Sequence, residues 1–314
     1  TVDDGNKKYR SINNCIVDYK NKTLIFGCND SVIPENGIEK IGNGAFYKCD
    51  KIEHAIIPCG VKAIGKSAFE GCTGLKTVTF PEGLETIGDS AFNECMNLET
   101  VVLHAGLKEI GEHAFDNCEN ITDLKLPQGL KRIGAFSFDR CKKLKALDIP
   151  EGVEIIDLHA FHGCDEVRAI SLPSTLDYCY NAGFRLKPKL EQITVAEGNM
   201  KYKSQGNCLI YLKENELWAG CPDSTIPEGI IRISNYAFAG SDLESIVIPE
   251  GVIYIMNSAF ENCKKLKHLT LPQTLKSPEG CFDDSVNLET VNAPARFRDY
   301  FVKLNAKLKF TATD

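Results

Sequence analysis

The stretch Leu75-Lys76-Thr77-Val78-Thr79-Phe80-Pro81-Glu82-Gly83-Leu84-Glu85-Thr86-Ile87-Gly88-Asp89-Ser90-Ala91-Phe92-Asn93-Glu94-Cys95 decides the fold, because two periodicities sit inside it. Val78 and Phe80 alternate with Thr77 and Thr79, the pattern of a short strand with one buried face. Pro81 has no N–H to offer a ladder and ends the strand, and Gly83 lets the chain turn. Leu84 and Ile87 then point back inward. Gly88 permits a bend, and Ala91-Phe92 fits a short helical turn that drops the ring into a core.

Working outward, the same pattern recurs. The pair Ala-Phe, or a close variant, ends at Phe46, Phe69, Phe92, Phe115, Phe138, Phe161 and Phe184, each 23 residues from the last, and resumes at Phe238, Phe260 and Phe282 with steps of 22. One such unit is too small to bury its apolar side, whereas stacked units cover one another. The expected architecture is therefore a repeat solenoid whose strands align as one parallel sheet.

The I-G-x-x-A-F-x-x-C-x-x-L-x-x-V-x-x-P-x-G-L pattern, seen from Ile64-Gly65 through Leu84, resembles the BspA-type leucine-rich repeats, over nearly the whole chain. The resemblance implies a leucine-rich-repeat right-handed superhelix. Its parallel β-sheet would line the concave face, with short helical turns and loops on the convex face. It also implies a surface or secreted protein that binds a macromolecule.

A longer repeat overlies the short one. Thr1-Val2 through Ser11 matches Thr194-Val195 through Ser204 at an offset of 193, which continues through Cys15/Cys208 and Cys28/Cys221 and slips by one near Asn36. Two super-repeats, each opened by a β-hairpin, follow from this. The expected segments are a hairpin and cap at 1–37, a first array at 38–196, a second hairpin at 197–231, a second array at 232–293 and a C-terminal cap at 294–314. Thr1-Val2 matches the end of a core strand, so residue 1 is expected to lie inside an array or to open a capping coil. Apolar residues at 297, 300, 301 and 304 read as an amphipathic capping helix.

Cysteine is the unusual component, at 14 of 314 residues. Cys49, Cys72, Cys95, Cys118, Cys141, Cys164 and Cys263 each stand three residues after an anchor Phe, while Lys187, Ser241 and Ser285 fill the slot elsewhere. A buried ladder of small, weakly donating thiols fits this spacing. In-register side chains point the same way, which opposes disulfides between rungs, and no spacing suits zinc. In the hairpins, two-residue loops at Asn21-Lys22 and Glu214-Asn215 set Cys15 opposite Cys28 and Cys208 opposite Cys221. These are either buried apolar positions or cross-strand disulfides. So many free thiols fit the cytoplasm or the surface of an anaerobe. The resemblance favours an extracellular or cell-surface location with any signal peptide removed, and the cytoplasm remains the alternative.

The composition excludes several classes. Net charge is −7 with no basic run, which argues against nucleic acid, and no apolar stretch approaches the roughly 20 residues of a membrane span. No nucleophile elbow, phosphate loop, dinucleotide fingerprint or HExxH motif occurs, so neither catalysis nor a cofactor is expected. Gly65, Gly88, Gly111 and Gly134 recur with the coil and are backbone bends, not a cofactor loop. His159 and His162 flank a turn and read as surface residues, and His113 occupies the same slot as His159 and reads as a variable position. What remains is the outward strand face. Thr77, Thr79, Thr100, Asp123, Lys125, Asp148, Ser171, Gln192, Thr194, Ser245, His268 and Thr270 are the candidate ligand-binding residues. They are mostly small and polar, suited to a protein or glycan lying across many coils. A spacer with no ligand of its own is the rival reading.

Overall fold

The computed structural model describes residues 2–3, 5–180, 189–282 and 287–313. Phe184, Lys187 and Ser285 of the repeat series lie outside these. The chain divides into two compact units, Thr1–Asp165 with Thr175–Gly183, and Glu166–Ser174 with Phe184–Asp314.

The first unit opens with an antiparallel meander of Tyr9–Ile12, Cys15–Asp18 and Thr23–Phe26. Its last strand pairs in parallel with Lys40–Ile41, which starts a column of two-residue strands, Ala63–Ile64, Thr86–Ile87, Glu109–Ile110, Arg132–Ile133, Ile155–Ile156 and Tyr178–Cys179. A second parallel column contains His54–Ile56, Thr77–Thr79, Thr100–Val102 and Asp123–Lys125. The expectation of one sheet is thus corrected to two strand columns per coil. The residues around Ile87 supply a single inward side chain to a two-residue strand, too short for a period to show.

The expected short helical turn at Ala-Phe is corrected as well: among the described residues these sites are turns. The cause lies in the residues two before and two after the Phe, which adopt left-handed backbone that a right-handed helix cannot contain: Ser67 (φ 53°) and Gly71 (φ 72°), Ser90 (φ 54°) and Glu94 (φ 60°). Instead, the N–H groups of Phe46, Phe69, Phe92, Phe115 and Phe138 each cross to the next coil. Phe69 donates to the Ala91 carbonyl at 2.7 Å, and Phe92 to that of Ala114 at 2.8 Å. This third inter-coil ladder sets successive turns at strand spacing, so the rings stack. Phe46, Phe69, Phe92, Phe115, Phe138 and Phe161 form a column with neighbouring centroids 5.0–5.5 Å apart and planes within 6°. Phe115, fully buried mid-column, carries on the order of 3–5 kcal/mol against truncation to alanine.

The thiols tie the same coils together. Cys72, Cys95, Cys118 and Cys164 donate Sγ–H to the Phe carbonyl 26 residues earlier at 3.1–3.2 Å, and Cys141 does so at 3.5 Å. The inferred buried ladder is what the structure contains.

The second unit pairs Ala169–Leu172 with Gln192–Val195 and then turns into its own meander, Tyr202–Gln205, Cys208–Tyr211 and Glu216–Gly220. Coils follow, with Ser245–Val247, His268–Thr270, Thr290–Ala293 and Lys309–Ala312 in parallel. Phe238, Phe260 and Phe282 stack at 4.9–5.0 Å. The helix Arg298–Leu304 sets Phe301 against Phe282, centroids 5.9 Å apart, and so closes the column.

The hairpin cysteine register is a further correction. Each meander makes its first reversal at a two-residue turn with positive φ, Asn13-Asn14 (49°, 62°) and Gly206-Asn207 (58°, 57°), which suits tight hairpins. The second reversal has a longer loop and a bulge, so Val17 faces Leu24 and Cys208 faces Gly220. Cys15 therefore does not face Cys28, nor Cys208 Cys221, and all four are free thiols.

Candidate functional site

The outward residues of the longer-strand column form the candidate surface, because strand alternation turns every second side chain away from the core. In the first unit Thr77, Thr79, Asp123, Lys125 and Asp148 are exposed and Thr100 is half-buried. Backbone pairing sets Thr77 beside Thr100, Thr100 beside Asp123, and Val102 beside Lys125. Asp148 lies on the further strand Ala146–Asp148. In the second unit Gln192, Thr194, Ser245 and His268 are exposed, and Ser171 and Thr270 are half-buried. Ser171 stands beside Thr194, Ser245 beside His268, and Val247 beside Thr270. The predicted residues thus fall into separate rows, two of them in the second unit on either side of its meander in sequence.

Local contacts across the rows are modest. Lys125 Nζ lies 4.0 Å from Asp123 Oδ2, both side chains exposed, and such a pair adds little stability. His54 Nδ1 meets Thr77 Oγ1 at 2.8 Å, and His268 Nδ1 meets Thr290 Oγ1 at 2.8 Å, so each imidazole is fastened to the next coil.

Two clusters escaped sequence reasoning. His113 stacks on Phe136 at 4.8 Å with planes 1° apart, and Phe136 lies 5.1 Å from His159, forming a second aromatic row outside the main column. His113 Nδ1 meets Asp116 at 2.9 Å and His162 Nδ1 meets Asp139 at 2.8 Å, so these histidines are half-buried and engaged, not simple surface residues. Burial pushes the Asp116 carboxyl up, opposed by its hydrogen bond from His113. The second cluster is Tyr202, Tyr211 and Trp218 on the second meander, with centroids 5.0–5.6 Å apart and Trp218 Nε1 donating to Glu216 Oε2 at 3.0 Å. The first meander has Tyr9, Asp18 and Ile25 at these places. The signal was available once the Gly206-Asn207 turn fixes which residues share a face.

The ladder thiols are chemically quiet. Burial pushes Cys72 and Cys263 up to about 12, and holds Cys95, Cys118 and Cys141 well above the ordinary thiol range. A neutral buried thiol is a poor nucleophile and a poor ligand. Among the described residues no three His, Cys, Asp or Glu side chains are grouped to hold a metal ion, and no helix is long and apolar enough to cross a membrane.

Against this geometry, the profile of the BspA type leucine rich repeat region matches residues 39–164, 108–210 and 214–303, in six copies. No curated protein matches the sequence. Among solved structures, a leucine rich cell surface protein from Faecalibacterium prausnitzii A2-165 is similar at a TM-score of 0.75 and 23% identity, over 99% of this chain and 96% of that one. The pneumococcal vaccine antigen PcpA is similar at a TM-score of 0.61 and 20% identity, over 90% of this chain and 81% of that one. Likeness at this level of identity speaks to the fold.

Proposed function

The chain belongs to the BspA-type leucine-rich-repeat family, and from that premise we propose that it is a non-catalytic binding module, at the cell surface or secreted, whose outward strand rows dock a protein or glycan. The observation that carries this reading is the register of the rows. Neighbouring coils place small polar side chains side by side at strand spacing, Ser171 with Thr194 and Thr77 with Thr100, which makes a shallow surface suited to an extended ligand. A cell-surface protein among the structural neighbours supports the location.

Binding to a panel of immobilised polypeptides and polysaccharides tests it. Saturable binding to at least one, weakened by Thr100→Trp or Ser171→Trp, is expected. Binding indifferent to both substitutions would remove the strand rows from the proposal.

A spacer role is the second reading, favoured by the surface ion pairs. Lys76–Glu53 at 2.8 Å, Lys142–Glu119 at 2.6 Å and Lys265–Asp242 at 2.7 Å each join residues 23 apart and brace one coil against the next. Under that reading the panel shows no saturable binding.

A further inference from the structure

Within the first unit the longer-strand column stops at His54–Ile56, which pairs with Thr77–Thr79 on one edge and is the terminal strand of its sheet. By the rhythm of the repeat, Val32-Ile33-Pro34 stands where the preceding strand belongs, as Thr79-Phe80-Pro81 does in a later coil. That segment is instead drawn into the meander. Ser31 N–H donates to the Cys28 carbonyl at 3.0 Å, Ser31 Oγ to the Asn14 carbonyl at 2.8 Å, and Val32 N–H to the Asn13 carbonyl at 3.1 Å. Between this segment and the strand edge lies a cleft of about 500 Å3. It reaches down to Phe46 and Phe69 of the core column, and Val32 and Ile56 at its mouth are 66% and 71% exposed.

The second unit makes the same meander bonds, from Ser224 to Cys221 and Asn207 and from Thr225 to Gly206, and Ser245–Val247 is likewise the terminal strand of its sheet, yet there the apolar side chain of the segment reaches the core. Ile226, the counterpart of Ile33, is 5% exposed and belongs to the core, whereas Ile33 is only half-buried. The sequence difference is Asn36, an extra residue in Pro34-Glu35-Asn36-Gly37 that Pro227-Glu228-Gly229 lacks.

We propose that this cleft receives an extended polypeptide segment, which adds as a parallel strand to the open edge of His54–Ile56 and places an apolar side chain over Phe46 and Phe69. The column itself indicates the occupant. The edge of a parallel strand presents alternating N–H and C=O groups that another extended backbone satisfies. Backbone pairing then supplies affinity and the apolar floor selects the side chain. This rests on the reading of the chain as a binding module but uses an edge distinct from the polar rows.

The probe is a fluorescein-labelled, end-blocked peptide of sequence LKTVTFP, residues 75–81, the strand that already pairs with the other edge of His54–Ile56. Fluorescence anisotropy with the intact chain should show saturable binding. The peptide should also slow alkylation of Cys59, an exposed thiol lining the cleft. Ile56→Lys, at an exposed position, and deletion of Asn36 should each weaken binding by about tenfold or more. Thr100→Trp should leave it unchanged, and so should a readout of folding by circular dichroism for every variant. A peptide with Pro in place of both Thr residues, lacking those N–H donors, should not bind. The proposal is overturned by absence of saturable binding, by binding that survives both cleft variants, or by loss with Thr100→Trp, which assigns the peptide to the polar rows. It is also overturned by a protein dimer that the peptide dissociates, which gives the edge to a second copy. Failure of the polysaccharide and polypeptide panel leaves these outcomes readable, because the probe and the variants differ.

Discussion

The two units use one coil design and differ in how much of it runs uninterrupted. The first has six phenylalanine rings in a continuous stack, with a thiol donating to a ring-residue carbonyl in each coil from Cys72 onward. The second has three coil rings between a meander and a helical cap, and the slot after Phe238 holds Ser241, whose buried hydroxyl finds no partner among the described residues. Yet the meanders that open them share side-chain devices at an offset of 193. Asn6 and Asn199 each accept two backbone N–H bonds, from Lys8 and Tyr9 at 2.9 Å and from Lys201 and Tyr202 at 2.8 Å. Ser31 and Ser224 each cap a cysteine N–H, at 2.8 and 2.7 Å. These backbone-holding side chains are shared, whereas Ile25 diverges from Trp218, and Asp18, which accepts the Asn21 N–H at 3.0 Å, diverges from Tyr211.

Alkali should separate the units most strongly. Among the described residues burial raises seven thiols in the first unit, Cys15, Cys49, Cys72, Cys95, Cys118, Cys141 and Cys179. In the second it raises Cys208 to about 11 and Cys221 and Cys263 to about 12. The folded thiols hold their protons while unfolded thiols ionise near pH 9, so stability is intact below that pH and is lost as pH climbs towards 12. Every thiol that keeps its proton in the folded state removes stability through that window, so the unit with more buried thiols loses more of it per pH unit. Under reducing, anaerobic conditions the far-ultraviolet circular dichroism should therefore begin to fall at a lower pH than the fluorescence of Trp218, the sole tryptophan, which sits in the second unit. Coincident transitions, or an earlier change at Trp218, would show that thiol number does not govern the order.

Removing a shared device should cost the units unequally. Asn207 Oδ1 accepts from Ile193 N–H at 3.0 Å, and its Nδ2 donates to the Glu191 carbonyl and to Asp223 Oδ1, both at 2.8 Å. Asn14, its counterpart, makes among the described residues one longer side-chain bond, to the Asp30 carbonyl at 3.2 Å. Glycine preserves the positive φ of both sites while deleting the amide. Asn207→Gly should then cost about 2 kcal/mol, because it strips the bond from the N–H of the buried Ile193, and Asn14→Gly about 0.5 kcal/mol or less. Urea unfolding, followed by Trp218 for the second unit and by circular dichroism for the first, measures the gap. Equal losses would mean that the clasp on Glu191 and Ile193 adds nothing.

Much of this design is legible in sequence because it repeats. The step of 23 identified the coil, the core Phe column and the thiol ladder, since each depends on one residue type recurring in register. What the sequence hid depends on backbone angles or on elements too short to show a period. The two-residue strands at Ile64 and Ile87 are of the second kind. The left-handed residues at Ser67 and Glu94 are of the first, because Ser and Glu do not announce a positive φ as Gly71 does. The meander register failed for a related reason. Asn13-Asn14 and Gly206-Asn207 are turn dipeptides in plain view that add a first reversal, and the second reversal spans 19–22 with a bulge where a two-residue loop at Asn21-Lys22 is expected. The outward rows followed from alternation alone, whereas the apolar cleft at His54–Ile56 needed coordinates, because one inserted residue alters burial without altering the pattern.

The smallest expected effect tests whether those hidden angles are imposed by the coil or merely tolerated. The position two after the ring is left-handed in both units, at Glu94 with φ 60° in the first and Asn262 with φ 57° in the second. A left-handed Glu costs roughly 1–2 kcal/mol in backbone sterics, whereas Asn visits this region more readily. Glycine relieves the strain but also loosens the unfolded chain, which returns about 0.5–1 kcal/mol of the gain. Glu94→Gly should therefore stabilise the first unit by about 0.5–1 kcal/mol, and Asn262→Gly should leave the second nearly unchanged. Both side chains are exposed, so little packing is lost with either substitution. The reverse change checks the sign, since an added Cβ at Gly71 meets Lys48 Cγ at 3.0 Å, which a small rotation of that side chain relieves, and Lys48 Cα at an ordinary 3.7 Å. Gly71→Ala should then lose about 1 kcal/mol through the backbone and not through a clash. Urea midpoints at an unchanged slope give all three values. If Glu94→Gly instead destabilises the first unit, then the turn does not require left-handed backbone there, and the inter-coil bonds of the Ala-Phe turns must hold the chain against its own preference by some other means.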